Sequence, residues 1–196
     1  MYLIFDTSAI GKPTNYKASF SDLNAWPRML HISWILLDEN FKPKEDFDLV
    51  AIPEGFTVTE DILTNTKLNE EDVKRKSAPL DEILEKFNET VLKAKYVFAH
   101  NLNFNENVLG AEYLRQTIKV NLFKVERYCL MQESTYYCKL PSKSGGYKWP
   151  SLPELHAACF GTAYSPHNNA RADVVAAARC FIKLMKTGNL EDLFED

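Results

Sequence analysis

The apolar and polar positions of the chain change period several times, and each change marks an element. Met1 to Asp6 is a short apolar run that ends in a carboxylate, the pattern of a buried strand delivering an acid to a sheet edge. Residues 9–27 mix Gly11, Pro13 and Pro27 with polar side chains and read as a loop. Met29 to Leu37 is a second apolar strand. Asp38, Glu39 and Asn40 mark a tight turn, so Phe41 to Ile52 returns antiparallel. Residues 53–79 are polar with mixed charge and predict one or two short helices. Leu80, Ile83, Leu84, Phe87 and Val91 recur at helical spacing and predict an amphipathic helix over 80–93. Tyr96 to Ala99 is a short strand that stops at His100 and Asn101. Phe104 to Arg115 reads as a helix with Val108, Ala111 and Leu114 on one face, and Leu122 to Leu130 as a strand plus turn. Residues 139–153 hold Pro141, Pro150, Pro153, Gly145, Gly146, three lysines, Tyr147 and Trp149, the composition of a long structured loop. Helices follow from Pro153 to Phe160 and from Ala170 to Lys186. The second turns Val174, Ala177, Ala178, Phe181, Ile182 and Met185 inward and is stopped by Gly188. This order predicts an α/β fold: a mixed five-stranded sheet, three antiparallel strands and then parallel ones, flanked by helices.

Composition adds bounds rather than detail. A length of 196 residues suits one domain spanning 1–196. The formal charge is −4 and the sequence pI about 5.6, so bulk charge gives no sign of tight non-specific duplex binding. An acidic balance leaves room for a metal-binding site, which is itself acidic. Cys129, Cys138, Cys159 and Cys180 form no C-x-x-C pair, which argues against zinc and for reduced thiols. No basic start with a cleavage site and no membrane-length apolar run is present, and a cytoplasmic location is expected.

Three short segments carry the candidate chemistry: Phe5, Asp6, Thr7 and Ser8 at the end of the first strand; Ala99 to Asn105 from strand into helix; and Asn168 to Asp173 at the start of the last long helix. Read singly, Asp6 is an ordinary turn acid, Asp173 an ordinary helix charge, and His100 and Asn101 a turn-ordering pair. In this order and spacing the three segments resemble the exonuclease motifs F-D-x-E, H-N-x-x-F-D and H-x-A-x-x-D of the DnaQ-like superfamily, DEDDh type. The flanks from Pro27 to Trp34 and from Gly146 to Leu155 are similar too, and the resemblance spans essentially the whole chain.

The resemblance implies an RNase H-like fold and metal-dependent 3′–5′ phosphodiester hydrolysis at single-stranded nucleic-acid ends. Four carboxylates would hold two divalent ions, and a histidine would serve as general base. Carried over position by position, Asp6 and Asp173 remain as acids and metal ligands. Ser8 stands where the glutamate is expected, Asn105 where an aspartate is expected, and Asn168 where the histidine is expected. Neutral oxygens bind hard cations less well than carboxylates. The expectation is therefore one Mg²⁺ or Mn²⁺ held weakly rather than two. An amide takes no proton near neutral pH, and loss of a general base alone costs roughly 10²–10⁴ in rate. His167, one residue before Asn168, is the candidate stand-in base, and Glu106, beside Asn105, a candidate replacement acid. Thr7, Ser8, His100, Asn101 and Phe104 are the implied contacts to nucleic acid. Two functions follow: an attenuated exonuclease, or a pseudo-nuclease that binds a single-stranded end, a nucleotide or a protein partner without cutting. Tyr147 and Trp149 either stack a base or pin their loop, with pinning preferred.

Overall fold

The strand that opens the chain becomes the axis of the molecule because its two faces are both apolar. The computed structural model describes residues 1–165 and 168–194. β1 (Tyr2–Ala9) pairs antiparallel with β2 (Met29–Leu37), which pairs antiparallel with β3 (Pro43–Ala51). α1 (Glu60–Thr66) and α2 (Glu70–Lys76) lead to a two-residue strand, β4 (Ser77–Ala78), and then to α3 (Leu80–Val91). β5 (Tyr96–Ala99) lies parallel to β1 on its other side and runs into α4 (Leu102–Arg115). β6 (Glu126–Cys129) extends the sheet, followed by α5 (Leu130–Glu133), α6 (Thr135–Cys138), α7 (Leu152–Phe160) and α8 (Ala170–Lys186).

The sheet order is β4-β3-β2-β1-β5-β6, six strands among the described residues rather than the five expected from the sequence. The extra strand is β4, parallel to β3 with Val50 opposite Ser77. Two residues are too few to display a period of two, so no hydrophobic pattern announces it.

Alternation along the central strands divides the core into two layers. Leu3 and Phe5 of β1 and Ile32, Trp34 and Leu36 of β2 pack with α3 and α4 on one face. Ile4, Ile35 and Leu37 point to the other face and meet Val174, Ala177, Phe181 and Leu184 of α8. Every residue of β2 is buried, as expected for a strand covered on both sides. Ile182 and Met185, expected inward, are half-buried on the flank of α8, and Leu114 of α4, also expected inward, is exposed. The loop before β2 packs onto α4 through Gly110, where a Cβ would lie 2.7 Å from Cγ of Phe20. Phe20 in turn stacks on Phe123 with centroids 4.8 Å apart. α5 and α6 are four residues each, too short to show helical spacing in the sequence. All four cysteines are free. No helix among the described residues is long and apolar enough to cross a membrane.

Candidate nucleic-acid cleft

The two helix layers converge where β1 and β5 end, and their meeting leaves a cleft of about 810 Å³. Asp6, Thr7, Ser8, His100, Asn101, Phe104, Asn105, Asn168 and Asp173 all line it. Nine of the positions singled out from the sequence are thereby brought together; Glu106 does not line the cleft, and His167 lies outside the described residues. Two asparagines with positive φ make the delivery possible. Asn101 (φ 60°) turns β5 into α4, and Asn168 (φ 65°) precedes α8, a conformation that asparagine tolerates better than most residues.

Of the three positions that the sequence sets apart from the motifs, Asn105 and Ser8 each hold hydrogen bonds of their own. Asn105 is fully buried, and its amide is saturated. Its Oδ1 accepts from the backbone N–H and from the hydroxyl of Thr7, each at 2.7 Å. Its Nδ2 donates to Asp6 Oδ1 at 3.1 Å and to the carbonyls of His100 and Asn101 at 3.0 and 3.3 Å. Ser8 Oγ accepts from the backbone N–H of Ala170 at 3.0 Å and so ties β1 to the first turn of α8. Asn169 completes that turn. Its Oδ1 accepts from the N–H groups of Arg171 and Ala172, while Nδ2 reaches back to the Thr66 carbonyl.

The two remaining acids are also engaged. Burial is the main cause that raises the Asp6 pKa well above the usual carboxylate value, and the neighbouring Asp173 adds to it. The Asn105 amide pulls in the opposite direction. Asp173 Oδ1 accepts from the hydroxyl of Tyr164 at 2.5 Å. Tyr164 is a site residue that no motif announced; it sits nine residues before Asp173 in a segment without periodicity. Burial, reinforced by the hydrogen bond to Asp173, pushes its phenol pKa up. Glu106 does not replace the missing acid: it pairs with Arg127 at 3.0 Å, and that pair, rather than the cleft, holds its carboxylate.

These occupations bear on the divalent ions that the motifs imply. The amide hydrogens of Asn105 point at Asp6, where an ion would need a lone pair. Ser8 Oγ caps a helix, and one Asp173 oxygen is taken by Tyr164. Among the described residues, no three His, Cys, Asp or Glu side chains form a group placed to hold a metal. The residues present do not fit a two-ion centre.

His100 is a buried, neutral anchor. Its Nε2 donates to the Pro150 carbonyl at 3.0 Å, and burial lowers its pKa to about 4. The sign of the resulting pH dependence is fixed. The unfolded chain takes up a proton below about pH 6.5 while the folded state resists it until about pH 4. Stability is therefore full above pH 6.5 and falls as the medium becomes acidic. His100→Gln keeps a donor for Pro150 but does not titrate. Between pH 7 and pH 4.5 the native protein should lose about 2–3 kcal/mol more than this variant in urea unfolding. Parallel curves for the two proteins would contradict the assignment.

No family model matches the sequence, and no curated protein matches it. Solved structures do. E. coli exonuclease I in complex with a dT13 oligonucleotide superposes with a TM-score of 0.72 at 18% identity, over 98% of this chain and 42% of that one. The nuclease domain of 3′hExo, a DEDDh family member bound to rAMP, gives 0.69 at 15% identity over 95% of this chain and 92% of the domain. An exonuclease I complex with SSB-Ct gives 0.70 at 16% identity, over 98% of this chain and 43% of that one. The chain thus spans less than half the length of the exonuclease I structures it matches.

Proposed function

From a chain with the DnaQ-like 3′–5′ exonuclease fold, we propose a protein that binds the 3′ end of a single-stranded nucleic acid in the cleft and hydrolyses it weakly or not at all. The observation that carries this reading is Asn105, whose amide is hydrogen-bonded to Asp6 where a carboxylate would share an ion with it. The fold and the volume of the cleft, which lies in the range of ligand pockets, support binding. Phe104 and the polar ends of β1 and β5 line the surface on which a terminal nucleotide would rest. Two acids where four carboxylates are needed, and an amide at Asn168 where a base is needed, support the loss of hydrolysis.

The test uses end-labelled single-stranded DNA and RNA with Mg²⁺ or Mn²⁺. Labelled strands should be retained by the protein and remain at full length. Phe104→Ala should weaken retention about tenfold by removing one stacking surface. Progressive shortening that disappears in Asp6→Ala would show a working nuclease and overturn the proposal. Failure to retain any strand would instead leave the fold in a protein-binding role.

A further inference from the structure

The segment that leads to the cleft-lining Ser151 carries three exposed aromatic residues. Between Glu133 and Glu154 the chain carries Lys139, Lys143 and Lys148 and no acidic residue, although the whole protein has a net charge of −4. Residues 140–148 close on themselves as a small hairpin. Ser142 N–H donates to the Gly146 carbonyl at 3.0 Å, Lys148 N–H donates to the Leu140 carbonyl at 2.9 Å, and Pro141 bridges Tyr147. Gly145 and Gly146, at φ 90° and 70°, form its tip in a conformation that favours glycine.

The sequence favours Tyr147 and Trp149 as pins of this loop over base stacking. The pins are other groups. The Pro150 carbonyl is held by His100, Lys148 pairs with Glu154 at 2.6 Å, and the same glutamate accepts from the Ser151 N–H at 2.8 Å. Tyr136, Tyr147 and Trp149 remain 77%, 45% and 56% exposed. Tyr136 and Tyr147 meet edge to face at 6.0 Å and present an open ring surface. Trp149 is two residues from Ser151, which lines the cleft, so chain geometry places it within about 7 Å of the rim.

We infer that Tyr136, Tyr147 and Trp149, with Lys139 and Lys143, form a second binding surface that takes the bases preceding the 3′ end of a single strand. The inference rests on the reading that the cleft receives that end. The chemistry is that of a stacking platform. Every base offers a π-face, exposed aromatic rings take it without regard to sequence, and neighbouring lysines meet the phosphates. A globular partner would require a larger continuous apolar area and gains little from Lys139 and Lys143, which enter no ion pair among the described residues.

The fluorescence of the full chain provides the test, because Trp26 and Trp34 are 2% and 0% exposed and Trp149 alone of the three reaches solvent. The probes are a thymidine dinucleotide, an oligothymidylate of about eight nucleotides, and an abasic strand of the same length. The longer oligothymidylate should quench tryptophan emission and bind about tenfold or more tightly than the dinucleotide. The abasic strand should not quench. Trp149→Ala should abolish the quench and the length-dependent gain while leaving dinucleotide binding unchanged, and Trp149→Phe should restore the gain. Equal affinity for the two oligothymidylates with no quench overturns the second surface and leaves the cleft reading intact. Equal quench by the abasic strand overturns base stacking. A Trp149 quench that survives in a protein whose dinucleotide binding is absent would separate the platform from the cleft and refute the cleft reading alone. Failure of every probe to bind overturns both.

Discussion

Asn105→Asp is expected to lower the unfolding free energy by about 3–5 kcal/mol at pH 8, the penalty of an uncompensated buried charge. The direction runs against the expectation that a carboxylate at the position where the motif carries one should improve the protein. The reason is polarity of hydrogen bonding. Only the oxygen half of the side chain keeps its partners, the N–H and hydroxyl of Thr7. The other half would set a second carboxylate oxygen against Asp6 Oδ1 and against the carbonyls of His100 and Asn101. A fully buried anion would face three oxygens and remove the amide donor that each of them shares, although the Asn101 carbonyl keeps the backbone N–H groups of Phe104 and Asn105.

The variant has one escape, which is to hold a proton, and this fixes its pH dependence. An aspartate whose folded pKa is raised is stable relative to the unfolded chain below the ordinary carboxylate range and loses that advantage as pH rises. The gap between variant and native protein should therefore be widest at pH 8 and close towards pH 4, read as the difference in urea midpoints at equal m-values. A variant as stable as the native protein at pH 8 would show that the amide polarity is incidental. On the proposed reading this change alone should add no hydrolysis, because Ser8 still caps α8 and Asn168 still offers no base.

That argument could not have been made from the chain alone. The positions were legible, since apolar runs and motif spacing located β2, β5 and α8 at the bounds observed and brought nine candidate residues to one cleft. What the substituted side chains do was not legible. Thr7 and Asn105 are 98 positions apart, and Ser8 and Ala170 are 162 apart. A substitution read along the chain is only a missing charge; read across β1, α4 and α8 it is a hydrogen bond with a defined direction. Tyr164 was missed for the same reason, because its partner Asp173 is reached across a segment with no period. The short elements β4, α5 and α6 escaped because periodicity needs more residues than they contain.

The same logic of distant polar contacts makes Glu112→Ala the second large effect, again about 3–5 kcal/mol. Glu112 lies on α4 with its carboxylate completely buried, and it gathers the approach to the cleft. Its Oε1 accepts from Arg28 Nε at 2.9 Å, from the Met29 N–H at 2.8 Å and from Arg115 at 3.1 Å. Arg115 also donates to the carbonyls of Leu23 and Trp26, and Arg28 to that of Glu54. One carboxylate therefore holds α4, the start of β2 and the loop whose Ile10, Gly11, Lys12 and Tyr16 line the cleft. Removing it leaves two guanidinium groups without their counter-charge and a buried N–H without an acceptor. Glu112→Gln retains an acceptor for Met29 and should cost less, about 1–3 kcal/mol. Because the loop wall is released along with the charge, Glu112→Ala should weaken oligonucleotide binding at temperatures where it remains folded. An unfolding free energy within about 1 kcal/mol of the native value would mean that the guanidiniums find water instead. The cleft wall would then be held by the Gly110 and Phe20 contact rather than by charge.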